Sequence, residues 1–393
     1  MARVKSGFRK RFNIRYWRWM VARATIGRIP VLKRHFSFYA KAVTPQKAAT
    51  TILEDRQFDL PTLFSAEENA FVRDRCWQYD TFAGNWSGEA TTRAHQFSAL
   101  VRDARLFGHV SRIFAPKEGA VVMVAGSVAN WNFAKPKRLK AMPEIAGRSH
   151  FLTRTDNYYH ALFHDLVPLV DYLYRLHPKG MPLALVVAQT PLATLALGCQ
   201  LIAQQFPDVR CVEMPDDAVA SAPEALWLSL EAGNAEWTFA EPAPVWHLAE
   251  LFRRHYGIEA GRGRRIFFSR GASKIRRLVN EDALWAIAEL HGFERFEARA
   301  DNHAEQVRCF SQADIVIGVH GAGLGNLAFC RPGTKVIEIF PENFTKSTYL
   351  WLSKHIELAY DFLIGGPGDY DQAFRLDESA FRKRLEAALG EAP

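Results

Sequence analysis

The run Asp314–Val319 is strongly apolar and of strand length, and it opens directly into a glycine-rich turn, His320-Gly321-Ala322-Gly323-Leu324-Gly325-Asn326. A strand ending this way is one unit of an α/β fold when helical and strand patterns alternate around it. They do so here. Upstream, Val245–Tyr256 reads as a helix closed by Gly257, Arg265–Phe268 as a strand, Glu281–Leu290 as a helix, Phe293–Ala298 as a strand and 303–310 as a short helix. Downstream come a strand at Val336–Phe340, a helix at Thr348–His355, a strand within Ile356–Phe362 and an amphipathic helix at Glu378–Leu389.

An earlier stretch has the same pattern. Tyr158, Tyr159, Leu162, Phe163, Leu166, Leu169, Val170 and Leu173 recur at helical spacing as far as Leu176. Leu183–Ala188 is a continuous apolar strand, Thr190-Pro191 opens a helix to about Phe206, and Val209–Val212 is a further strand. Arg112–Pro116 and Val121–Ala125 read as a hairpin, and Ala129–Arg148 as a surface loop, whereas 36–110 has no single clear pattern. The acidic, proline-containing Asn234–Pro244 is the best linker. The expectation is an α/β protein of two Rossmann-like domains facing across a cleft, the usual place for a ligand. The boundaries are 1–35 for an N-terminal arm, 36–235 for the first domain, 245–370 for the second and 371–393 for a C-terminal helix.

Length and composition allow this. The 393 residues suffice for two or three domains, and 48% hydrophobic against 23% charged excludes wholesale disorder. No stretch of 18 apolar residues lacks charge, so no membrane-spanning helix is expected. Five scattered cysteines predict neither a disulfide framework nor a structural zinc site.

The net charge of +8 is local. Residues 1–35 hold 11 of the 50 basic side chains and no acidic one, which leaves 39 basic against 42 acidic elsewhere. Phe8, Phe12, Tyr16, Trp17, Trp19 and Met20 interleave with those cations. That mixture suits an anionic membrane surface, with rings at headgroup depth and cations near phosphate. Nucleic acid, or an acidic patch on a partner, would use the same charge. The near-neutral body argues against a specific nucleic-acid protein. Basic residues interrupt the N-terminus and no apolar core follows, so a secretory signal is not expected and a cytoplasmic location is.

Three constellations carry chemistry. Glycines at a strand's carboxyl end let backbone approach a ligand, and a following helix offers N–H groups to phosphate. Gly321, Gly323 and Gly325 do not make the dinucleotide fingerprint. His320 at that strand end would bind phosphate or a sugar hydroxyl, or cap the turn. The second constellation is Ser269-Arg270, Lys274, Arg276-Arg277 and Asn280-Glu281, at the end of the strand Arg265–Phe268. Arginine matches oxyanions bidentately, so this cluster suits a diphosphate, and a solvated charged loop is its bland counterpart. The third is Asn157-Tyr158-Tyr159-His160 with His164 and Asp165. Histidines at i and i+4 invite a metal, a general base or plain packing, and no third ligand is evident. Glu338, in the strand Val336–Phe340, would hold a ribose diol or pair with an arginine. Asp216-Asp217 has the spacing of a metal-binding pair but sits in a proline-bounded loop, where a surface position is expected.

The run Ala313–Asn326, continued by Phe329, Pro332-Gly333 and Val336-Ile337-Glu338-Ile339, resembles glycosyltransferase family 61, as do Ser269-Arg270, Arg276-Arg277, Asn280-Glu281 and Tyr158-Tyr159-His160. The resemblance spans about residues 150–345. Ala161 stands where the family usually has Trp, His164 where it commonly has an acid, and Gly325 where it has Thr or Ser; Pro168 is shifted by one, with no Arg after it. The resemblance implies an inverting sugar transfer from a nucleotide-sugar donor in a GT-B type fold. The cationic cluster itself could work without a metal, and no cofactor is expected. Ser269, Arg270, Lys274, Arg276, Arg277, His320, Gly321, Ala322, Gly323, Leu324, Asn326 and Glu338 would bind the donor. The base would be His160, then Asp165, then His164. The acceptor would be a glycan or lipid-linked sugar in surface polysaccharide synthesis (capsule or lipopolysaccharide). The arm would hold the enzyme peripherally at the inner face of the cell membrane. The alternatives are a non-catalytic nucleotide-sugar or glycan binder and, lacking its fingerprint, an NAD-linked oxidoreductase.

Overall fold

The computed structural model describes residues 42–43, 49–59, 65–74, 93–108, 112–115, 120–122, 140–152, 157–189, 192–231, 242–271, 273 and 275–390. The basic arm, Lys274, the Thr190-Pro191 helix start and most of the expected linker lie outside them.

The second half is an α/β layer. Its sheet runs in the order Glu294–Glu297, Arg264–Ser269, Ala313–Val319, Lys335–Phe340, Ala359–Ile364, and every neighbouring pair is parallel. A parallel sheet is covered on both faces, and alternate residues show it. Phe267, Ile315, Ile317, Ile337 and Ile339 pack with Leu284, Ile287, Phe381 and Leu385 from the helices Glu281–Leu290 and Glu378–Leu389. Ile266, Phe268, Val316 and Val336 face the opposite way, toward Val307 and Phe310 of the helix His303–Ser311.

The first half departs from the Rossmann-like expectation. Its ten described strands form a mixed sheet. Arg148–Phe151, Leu183–Ala188 and Val209–Met214 are parallel, with the helix Ala193–Gln205 between the last two. The rest is dominated by one long antiparallel pair, Arg93–Phe107 with Ala218–Glu231. The expected hairpin is present as Arg112–Ala115 against Ala120–Val122. Within the expected surface loop, Lys140–Ala141 instead adds a short strand beside Ala218 and Val219.

One apolar core joins the halves. Leu162, Leu166, Leu169 and Val170 belong to the same buried cluster as Phe252, Phe268, Phe310, Leu324 and Phe329. The helix carrying the first four starts at Tyr158, where Asn157 caps it by accepting from the N–H groups of Tyr159 and His160. Its turns from Ala161 to Leu166 are π-helical, and Val167–Arg175 is α-helical. Pro168 supplies the reason: it has no N–H to give, and its ring would collide with the carbonyl four residues back in a regular α-turn. A second connection comes from the helix Ala66–Asp74, which opens with a reciprocal Ser65–Glu68 capping box. Its Phe71 stacks on Phe362 at 3.9 Å and also meets Phe340, so this N-terminal helix docks on the second sheet.

Candidate functional site

Because the strands Arg264–Ser269, Ala313–Val319 and Lys335–Phe340 are parallel, Ser269-Arg270 and His320-Gly321 emerge at one edge. Arg270 reaches across it. One guanidinium nitrogen, Nη1, donates to the His320 carbonyl at 2.6 Å, and Nη2 donates to Ser273 Oγ at 2.9 Å. Glycine at 321 makes the approach possible, since a Cβ there would lie 1.6 Å from Arg270 Nη1. The Gly321 backbone is extended (φ 173°), so the requirement is space and not conformation. Tyr349 O–H donates to the Gly321 carbonyl at 2.7 Å and holds the turn from the other side.

Arg276 joins from a left-handed backbone position (φ 58°), where its N–H donates to the Asp371 carbonyl. Its guanidinium carbon lies 4.7 Å from the Phe344 ring centre, a cation–π contact. Neither Arg270 nor Arg276 makes an ion pair among the described residues, and the buried Nε of each has no hydrogen-bond partner there. Burial lowers the pKa of both, that of Arg270 to about 10, and the Arg276 charge adds to the effect on Arg270. Lys346, with Nζ 5.7 Å from the same Phe344 ring, adds positive charge close to His320. This is a cationic site whose two arginines have no salt-bridge partner among the described residues, an arrangement suited to an anion.

His320 and Glu338 lie behind it. Glu338 is 0% exposed, with Oε1 2.5 Å from His320 Nδ1 and Oε2 accepting from Tyr360 O–H at 2.6 Å. The imidazole stacks on Phe340. Burial raises the Glu338 pKa well above the carboxylate range, and lowers that of His320 with help from Arg276, Lys346 and Arg270. Both shifts favour uncharged forms. Glu338 therefore meets His320 and not Arg270 or Arg276 by hydrogen bond.

The helix beginning at Tyr158 borders this edge through aromatic rings: Tyr159 lies 5.6 Å from Tyr349, and Tyr349 lies 5.5 Å from His320. His160 and His164 share a 2.7 Å contact between their Nδ1 atoms. Burial, then the His160 charge, pushes the His164 pKa down. Asp165 is 2% exposed and lies close to Cys199, on the helix Ala193–Gln205, whose thiol pKa is raised by burial first and then by Cys211 and Asp165. The three base candidates therefore separate into a histidine pair and a carboxylate with a Cys199 neighbour. Among the described residues no three His, Cys, Asp or Glu side chains cluster in a way that would hold a metal.

Several other candidates are engaged in the fold. Ser269 donates to Glu281 at 2.5 Å and accepts from Gly271 N–H. Asn326 donates to Gln306 and the Gly323 carbonyl while accepting from Tyr158 O–H. Arg277 is exposed and gives its backbone carbonyl to Phe374 N–H. Ala322, Gly323 and Leu324 begin a 3-10 helix that runs to Phe329. A Cβ on Gly323 would sit 2.7 Å from the Phe268 ring. Sequence reading missed Lys346, Tyr349 and Tyr360. A signal did exist for Tyr360, which lies in the strand beside Glu338's, paired Val336↔Tyr360 and Glu338↔Phe362.

Residues 158–337 match the family model described as glycosyltransferase 61. Two plant proteins align over shorter stretches. Beta-1,2-xylosyltransferase RCN11 of Oryza sativa subsp. japonica is 39% identical over 69 residues, which is 18% of this chain and 13% of the rice protein. Xylan glycosyltransferase MUCI21 of Arabidopsis thaliana is 31% identical over 86 residues, 21% of this chain and 17% of its own. The chain thus aligns with less than a fifth of either curated relative. The segment Tyr158–Ile337 is that of glycosyltransferase family 61, on an α/β fold.

Proposed function

We propose that this protein is an inverting glycosyltransferase of GT-B type, moving a sugar from a nucleotide-sugar donor to a glycan or lipid-linked acceptor. The observation that carries the reading is the pair Arg270 and Arg276, both largely buried and both without an ion-pair partner among the described residues. Two like charges held this way cost free energy in the protein alone. A donor diphosphate offsets that cost, and stabilising the leaving diphosphate is where sugar transfer most needs help.

In the reaction the acceptor oxygen attacks the anomeric carbon as the bond to the diphosphate oxygen breaks, so the configuration inverts. His160 on the Tyr158 helix is the proposed base, with residues 36–235 on the acceptor side and 245–370 on the donor side. Surface polysaccharide assembly at the inner face of a membrane, with residues 1–35 on anionic lipid, is part of the same proposal. The rice relative is named as a beta-1,2-xylosyltransferase, which makes a xylosyl donor the first to test.

The test is a thermal-shift panel of UDP, GDP, CMP and NAD, with and without Mn²⁺, on wild type and Arg270→Ala. Stabilisation by one nucleotide that disappears in the variant supports the donor site. No shift with any nucleoside phosphate, or a shift with NAD alone, overturns it. The contact between His160 and His164 favours a second reading, a binder without turnover, because it occupies the proposed base. That reading predicts nucleotide binding but no release of nucleotide from UDP-xylose, UDP-glucose or GDP-mannose.

A further inference from the structure

We propose that His320, Glu338 and Tyr360 form a proton relay that protonates the departing phosphate oxygen of the donor. The inference rests on the reading of Arg270 and Arg276 as the diphosphate site. It begins from the full burial of Glu338, whose two oxygens are each committed: Oε1 to His320 Nδ1 at 2.5 Å, Oε2 to the Tyr360 hydroxyl at 2.6 Å. His320 is clamped as well. Its N–H donates to the Ile339 carbonyl, its carbonyl accepts from Arg270, and its ring lies on Phe340. The ring is held on the rim of the cationic site by its own backbone.

Nε2 is the one polar atom of the imidazole left over, with no hydrogen bond among the described residues. The groups facing the ring from the surrounding elements are Glu338, Tyr349, Arg270, Arg276 and Lys346. Burial opposes a second proton, and hence any positive charge, on the ring, and the three cations among these groups add to the effect. Burial likewise favours a protonated Glu338. A carboxylic O–H donating to Nδ1 leaves the single imidazole proton on Nε2.

The step balances. As the bond from the anomeric carbon to the phosphate oxygen breaks, its electron pair stays on that oxygen, which takes the proton from Nε2. The Oε1 proton moves to Nδ1. Glu338 ends as a carboxylate that accepts from Nδ1–H and from Tyr360 O–H and is attracted by Arg276. Solvent returns one proton through Nε2 when the nucleotide leaves.

The test uses the full chain with ¹⁵N-labelled histidine, uridine and guanosine diphosphate as probes, and His320→Gln for assignment. Expected in wild type at neutral pH is the tautomer protonated at Nε2, with that resonance shifting when the bound diphosphate is added. His320→Gln keeps a donor near the Nε2 position but no relay. It should still be stabilised by the nucleotide, while turnover of the donor falls on the order of 10²-fold with KM little changed. Glu338→Gln, of equal size, serves if that variant fails to fold, with the same split expected. A proton on Nδ1 with bare Nε2, or a His320 signal unmoved by a nucleotide that binds, overturns the relay and leaves the diphosphate site standing. If neither diphosphate shifts the melting temperature of wild type, the site reading falls and the relay with it.

Discussion

The hydroxyl of Tyr158 donates to Oδ1 of Asn326 at 2.6 Å, and this bond fastens the first turn of the Tyr158 helix to the 3-10 helix after the glycine-rich turn. His303 Nε2 lies 3.1 Å from the same hydroxyl, and Tyr256 O–H meets His303 Nδ1 at 2.9 Å. Four side chains from four elements thus close one half-buried network across the two halves, with Asn326 fully buried.

Removing the hydroxyl takes the donor from Oδ1 of the buried Asn326 and a partner from Nε2 of the half-buried His303. Tyr158→Phe should therefore cost about 1–3 kcal/mol. Urea titration would measure the loss, expected as a lower midpoint with an unchanged m-value. A midpoint equal to wild type would mean that the halves are held by apolar packing alone.

Much of this fold is legible in the sequence, for a local reason. Asp314–Val319, Leu183–Ala188 and the helix from Tyr158 carry enough consecutive apolar residues to identify themselves. Ala218–Glu231 does not, because it is built on small residues such as Ala218, Ala220 and Ala222 and contains Pro223. Only its long pairing with Arg93–Phe107 makes it a strand. The site divides in the same way. Arg270, Arg276, His320 and Glu338 could be named from strand ends, but their partners could not: Tyr349 and Tyr360 reach the site from elements joined to it only by tertiary packing. The π-helical turn before Pro168 is equally hidden, since one proline does not announce which turn will widen to accept it.

Gly321→Ala isolates the approach of Arg270. The added methyl would meet Nη1 at 1.6 Å and push the guanidinium away, while the extended backbone at 321 tolerates alanine. Nucleoside diphosphate affinity should fall roughly ten-fold or more, the effect of one lost charge-assisted bond. Isothermal titration beside circular dichroism would separate this from unfolding.

Arg276→Met tests whether the site trades stability for anion binding. The side chain is half-buried, with a buried Nε that has no partner among the described residues. Replacing a buried charge by an apolar chain of similar length is often neutral or stabilising. The melting temperature without nucleotide should stay level or rise, and the increment from UDP or GDP should shrink. A drop without nucleotide would show that Arg276 is structural.

His160→Ala addresses the proposed base. Turnover should fall on the order of 10²–10⁴-fold with donor binding kept, as read by nucleotide release beside a thermal shift. His164→Ala should act more weakly, because burial holds that imidazole uncharged and leaves it a poor proton acceptor. Equal losses in both would point to the pair as a unit, and no loss in either would move the base elsewhere.

His303 and His150 should set the acid limit of the fold. Burial lowers the pKa of each to about 4 from 6.5, and the Leu226 carbonyl beside His150 Nδ1 only partly opposes it there. An unfolded chain would protonate both near pH 6.5, well before the folded protein does. Stability is therefore complete above that pH and is lost as pH falls toward 4. The shift corresponds to about 3 kcal/mol for each group when fully developed. His303→Gln keeps a hydrogen-bonding side chain between Tyr158 and Tyr256 but cannot titrate. Its urea midpoint should start below that of wild type at pH 7.5 and then decline less steeply between pH 6.5 and 4.5. Parallel profiles would place the acid sensitivity in other groups and leave His303 a purely geometric link between the two tyrosines.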